Sequence, residues 1–87
     1  MKRKYGWSLK RAMEKYGFVP EELSPNATHE VGKLYWSGYW QKFYKVLSIN
    51  DYDIVNHVTV EWEDGKITTH CTKLDVGRDW LLIPATT

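Results

Sequence analysis

Gly32-Lys-Leu-Tyr-Trp-Ser-Gly-Tyr-Trp-Gln-Lys-Phe-Tyr-Lys-Val-Leu-Ser-Ile49 decides how this 87-residue chain is read. The stretch carries Tyr35, Trp36, Tyr39, Trp40, Phe43 and Tyr44. Lys33–Trp36 reads as a first strand, and Ser37-Gly38 as a tight turn with glycine at its second central position. Tyr39–Ile49 then reads as a long second strand, bent near 41–43. Its second half is rich in the β-branched and aromatic residues that suit a pleated, half-buried surface. Asn50-Asp-Tyr-Asp53 reads as the turn that follows.

Outward from this stretch, the C-terminal side continues in strands. In His57–Glu63, Val58, Val60 and Trp62 alternate with Thr59, Glu61 and Glu63, the period of a strand with one buried face. Asp64-Gly65 predicts a two-residue type I′ hairpin. That turn pairs Trp62 with Ile67, Val60 with Thr69 and Val58 with Cys71. It puts Ile67, Thr69 and Cys71 inward, and Thr68 and His70 outward. Thr72 to Arg78 turns the chain, and Trp80–Ile83 is a short last strand ended by Pro84.

On the N-terminal side, residues 8–16 predict a helix. Ser8 suits the N-cap, Gly17 suits a left-handed C-cap, and Leu9, Ala12, Met13 and Tyr16 share one face. Pro20-Glu-Glu-Leu23 suits one further turn, and Ser24 to Glu30 reads as a linker. The second of these helices is too short and acidic for a DNA-reading helix-turn-helix. The expected architecture is mainly β: a small five-stranded antiparallel barrel over 31–87, behind a basic helix and linker over 1–30 that cover a seam or sheet edge.

A chain of this size holds one core. Its 5 Trp, 6 Tyr and 2 Phe fill that core and leave rings for a surface. The single cysteine, Cys71, excludes a disulfide framework. With no signal-like segment and no long apolar run, the expectation is a soluble cytoplasmic protein. Asn26-Ala-Thr28 fits a glycosylation sequon that means nothing without secretion. Lys2, Arg3, Lys4, Lys10, Arg11 and Lys15 face only Glu14 within residues 1–16, so the N-terminus is basic and the remainder acidic. Such asymmetry suits either an acidic partner or a solvated tail.

Val31-Gly32, Gln41 to Ile49, Val58-Thr-Val-Glu-Trp-Glu-Asp-Gly65 and Thr72-Lys-Leu-Asp75 together resemble the Tudor/chromo-barrel type of SH3-like barrel. The resemblance covers residues 31–84 and implies a binding role of some kind, since this fold hosts many. It implies, as one option, a methyl-lysine or methyl-arginine cage. By motif position the walls are Tyr35 or Trp36, Tyr39 or Trp40, and Trp62, with Glu63 or Asp64 as the acid. Trp62 shares a face with Val58 and Val60, which favours a core role for it instead.

Catalytic chemistry finds no footing. His29, His57, His70 and Cys71 lack zinc-ligand spacing, although His57 and His70 would lie diagonally on one outer face. Cys71, read as inward, is packing rather than nucleophile. There is no nucleophile-elbow motif and no glycine-rich phosphate loop. No cofactor, metal or catalytic residue is expected. The reading is a non-enzymatic protein-binding adaptor or inhibitor, with Tyr35, Trp36, Tyr39 and Trp40 as partner-binding anchors. The analogy is to small proteins of phages and mobile elements that block a host factor. The alternative is a nucleic-acid binder. Its phosphate contacts would be Lys2, Arg3, Lys4, Lys10, Arg11 and Lys15, with aromatic stacking from the hairpin. The methyl-lysine or methyl-arginine reader is a second alternative.

Overall fold

The computed structural model describes residues 6–52, 55–71 and 73–84. One helix, α1 (Trp7–Tyr16), precedes six strands: β1 (Phe18–Glu21), β2 (Leu34–Ser37), β3 (Lys42–Tyr52), β4 (Val55–Trp62), β5 (Ile67–His70) and β6 (Trp80–Pro84). They form one antiparallel sheet in the order β1-β6-β2-β3-β4-β5. Among the described residues no ladder joins β5 back to β1, so the sheet is six-stranded and not closed, and the expected five-stranded barrel is not confirmed.

The additional strand is β1. Pro20-Glu-Glu-Leu23 was expected to start a helical turn, but the residue before a proline prefers extended backbone, and Val19 follows that preference. Pro20 pairs with Leu82 on an edge strand, where a missing N–H is tolerated. The helix forms where its apolar spacing predicts and ends at Gly17, whose φ of 73° lets its N–H reach the Met13 carbonyl at 2.8 Å. Its start differs: the N-cap is Gly6, with no side-chain cap, and Ser8 already lies inside the helix.

Adjacent residues of the central strands are buried on opposite faces, so the sheet carries two cores. Leu9 and Ala12 of α1 pack with Trp36, Trp80 and Leu82 on one face. Tyr35, Tyr44, Val46, Val58, Val60 and Trp62 fill the other, closed by Leu74. The register of β3 against β4 shifts between Val46 and Ser48. The bulge places Leu47 outside the alternation, so that both Val46 and Ile49 can face the second core.

The β4–β5 turn is one residue longer than expected. Trp62 N–H donates to the Lys66 carbonyl, and Gly65 N–H donates to the Trp62 carbonyl, both at 2.8 Å. A type I′ turn needs positive φ at both central residues. Here Gly65 has it, at 88°, and Asp64 does not; Asp64 instead accepts the Lys66 N–H through its side chain at 3.0 Å. The observed pairs are Val58–His70, Thr59–Thr69, Val60–Thr68 and Glu61–Ile67. A slip of one residue turns every side chain of a strand to the other face. Thr68 and His70 therefore share a face with Trp62, whereas Ile67 and Thr69 lie on the other face and are exposed, as is Cys71 just beyond the strand. Cys71 is thus not core packing.

Candidate functional site: an aromatic cavity beside the first hairpin

The 38–41 loop differs from the expected two-residue turn. Ser37 accepts the Gln41 N–H through its carbonyl at 2.8 Å and the Trp40 N–H through its hydroxyl at 3.0 Å. Gln41 takes a left-handed φ of 58°. Tyr39 and Trp40 thus belong to the loop and not to a strand. Their rings meet edge to face with centroids 4.9 Å apart, and they remain 68% and 57% exposed. Tyr35 and Trp36 have the opposite fate: at 1% and 3% exposure they are core residues on the two faces of β2, unable to serve as surface anchors.

Tyr39 and Trp40 stand at one side of a cavity of about 280 Å³. Tyr44 and Trp62 supply further aromatic wall, with ring centroids 5.1 Å apart, and Val58 and Val60 supply apolar surface. His29 and His70 also line it. His29 Nε2 lies 2.8 Å from the Tyr44 hydroxyl. Burial, and secondarily the proximity of His70, pushes His29 below its ordinary value, so its neutral ring is favoured. Burial, reinforced by Asp79 and Tyr35, pushes the Tyr44 phenol far up and keeps it protonated. The Trp62 indole N–H donates to Thr68 Oγ1 at 2.7 Å, and Thr68 Oγ1 lies 2.6 Å from His70 Nε2. This chain exists only because of the longer β4–β5 turn.

The cavity is lined by two acids, Asp75 and Asp79, and by two bases, Lys73 and Arg78, the latter with its guanidinium 6.0 Å from the centre of the Tyr39 ring. Asp75 is 3.9 Å from the Arg78 guanidinium. Asp79 is buried and accepts the Gly38 N–H at 3.0 Å. Burial pushes its carboxyl above the ordinary carboxylate range, while the Gly38 and Asp75 backbone N–H groups pull in the other direction. A carboxyl held in this way gains from any cation brought close to it.

Other predicted site residues lie elsewhere. Trp62 is largely buried, as its alternation with Val58 and Val60 foretold, and it lends the cavity a wall. Glu63 does not face the cavity: its carboxylate accepts the Phe43 N–H at 3.1 Å while its own N–H donates to the Phe43 carbonyl at 3.0 Å. Asp64 is committed to its turn. Lys10, Arg11 and Lys15 are exposed on α1, with the Arg11 guanidinium 4.7 Å from the centre of the Trp7 ring. Lys2, Arg3 and Lys4 lie outside the described residues. The observed register puts His57 and His70 on opposite faces, which removes the metal pairing considered between them.

Sequence reading missed Tyr44, His29, His70, Asp75 and Asp79. The one available signal was an acid, Asp79, directly before an apolar strand. Among the described residues, no helix is long and apolar enough to cross a membrane. No protein-family model, curated protein or solved structure gives a significant match to this chain.

Proposed function

We propose that this protein is a small protein-binding module that seats one side chain of a partner segment in the cavity beside the first hairpin. The observation that carries this reading is the juxtaposition of two exposed rings, Tyr39 and Trp40, with a concave site walled by Tyr44 and Trp62 and bordered by the buried acid Asp79. Exposed aromatics next to a cavity are the usual energetic anchors of protein recognition. The aromatic walls suit a cationic guest, lysine or arginine with or without methyl groups, through cation–π attraction, while on the same lining Asp75 and Asp79 are balanced by Lys73 and Arg78. Trp62 already has one such neighbour, the Lys42 ammonium 5.1 Å from its ring centre.

The test is a random heptapeptide display library panned on the wild type and on a Tyr39→Ser, Trp40→Ser double variant. Both rings are exposed, so the variant is expected to keep the wild-type Tm. Peptides enriched on the wild type should lose at least tenfold in affinity on the variant and carry Lys or Arg at one fixed position. Enrichment indifferent to the two substitutions would overturn the reading.

A second reading is favoured by α1. Trp7 is 71% exposed beside Arg11, and Lys10 and Lys15 are exposed on the same helix. An exposed indole among cations suits a single-stranded nucleic acid, by stacking and phosphate contact. Binding of a labelled oligonucleotide should then weaken steeply between low and physiological salt and fall again on Trp7→Ala. A salt-insensitive signal would end that reading.

A further inference from the structure

The two edges of the sheet are not alike. At β1, Pro20 removes a donor and Glu21 and Glu22 bring charge, devices that discourage strand addition. At the other edge β5 reads Ile-Thr-Thr-His, β-branched in three of its four residues, with no proline and no acidic or lysine side chain. Ile67 is 60% exposed. In an antiparallel pair, hydrogen-bonded and non-bonded positions alternate. The bond from Trp62 N–H to the Lys66 carbonyl fixes that alternation: Val60–Thr68 and Val58–His70 are bonded pairs, and Glu61–Ile67 and Thr59–Thr69 are not. The close approach of the Thr59 and Thr69 hydroxyls, 3.0 Å, agrees with a non-bonded pair. The backbone N–H and C=O of Ile67 and Thr69 therefore point away from β4. Among the described residues, no backbone partner meets them.

We propose that this free edge of β5 pairs with an extended segment of the partner protein, and that the segment's residue opposite His70 turns its side chain into the aromatic cavity. His70 is the β5 residue that lines the cavity, and it stands on the same face as Thr68 and Trp62. A residue opposite it on an added strand points to that same face, one strand spacing away, about 4.8 Å. Backbone pairing would supply affinity and the cavity would supply selectivity, the division of labour seen in strand addition generally.

A second copy of this chain is the less favoured occupant. Four residues of β5 span about 13 Å, and a sheet edge is roughly 10 Å deep, so a β5–β5 contact would cover on the order of 300 Å², against about 1,200 Å² for a stable dimer. A partner segment is not so limited, because it adds the side chain it places in the cavity.

This inference rests on the peptide-binding reading above and is tested with the peptides enriched there. Amide hydrogen exchange of the full chain, with and without the best peptide, should slow at Ile67 and Thr69 by at least tenfold. Thr69→Pro deletes a donor that faces away from β4, so it should leave the fold intact and weaken the peptide by at least tenfold. Should that variant unfold, the exchange measurement on the wild type still decides. Peptides that depend on Tyr39 and Trp40 but leave Ile67 and Thr69 exchange unchanged would overturn strand addition while sparing the cavity reading. A library with no binder would overturn both. A dimer in sedimentation that Thr69→Lys dissociates would overturn the choice of occupant.

Discussion

Asp79 holds its carboxyl where burial favours the protonated form. Its ordinary value is 3.8, and the folded value is higher. The unfolded chain therefore releases this proton first as pH rises. Stability falls from about pH 3.8 up through the folded value, and the loss persists at neutral pH. Asp79→Asn keeps an acceptor for the Gly38 N–H and removes that cost. Its Tm should exceed that of the wild type by a few degrees at pH 7, with the gap closing near pH 3, while cationic peptides bind less well. A lower Tm at pH 7 would mean that the carboxylate's backbone bonds outweigh its burial. His29 acts in the opposite direction. Its folded value lies below the ordinary 6.5, so the unfolded chain takes up the proton first, and stability declines as pH falls below about 6.5. The urea midpoint should drop between pH 7.5 and 5.5 in the wild type and drop less in His29→Gln.

The hairpin of β4 and β5 was partly legible in the sequence. Strict alternation gave the buried face of β4, because Val58, Val60 and Trp62 have no competing arrangement. Asp64-Gly65 gave the turn's location but not its length. Two turn types differing by one residue share that dipeptide, and the choice falls to the φ of Asp64, which composition does not reveal. Everything on β5 followed that choice, including the entry of His70 into the cavity. Thr68→Val tests the observed register. It strips the acceptor from the buried Trp62 indole N–H and should cost about 1–3 kcal/mol in urea unfolding. A neutral result would place Thr68 on the solvent face. The first hairpin was legible as a hairpin, but Tyr35 and Trp36 could not be told from Tyr39 and Trp40. All four are aromatic, and only the sheet's burial on both faces separates them.

Across the whole molecule, segments far apart in the chain meet at Gly38. Its φ is not positive, so the site requires space rather than conformational freedom. A Cβ there would run into both the side chain and the carbonyl of Arg78. Backbone cannot yield as a side-chain tip does, so Gly38→Ala should destabilise by about 1–3 kcal/mol or more and disturb Tyr39, Trp40 and Asp79 together. Unchanged melting with intact peptide binding would show that the 75–79 connection moves freely of the hairpin loop. Such long-range closure was beyond sequence reading, since nothing local in Val-Gly-Arg-Asp marks it as the neighbour of Ser-Gly-Tyr-Trp.

The length of the Glu63–Gly65 turn also bears on how this chain can change by mutation. Point substitutions adjust the cavity one wall at a time. Deletion of a single residue in this exposed turn would reverse β5 as a unit, exchanging Thr68 and His70 for Ile67, Thr69 and Cys71. The cavity would then gain a thiol and keep only one of its two imidazoles, that of His29, without a substitution at any residue that lines it. The make-up of the cavity's lining thus depends on the length of a solvent-exposed loop, where length variation is usually counted as harmless.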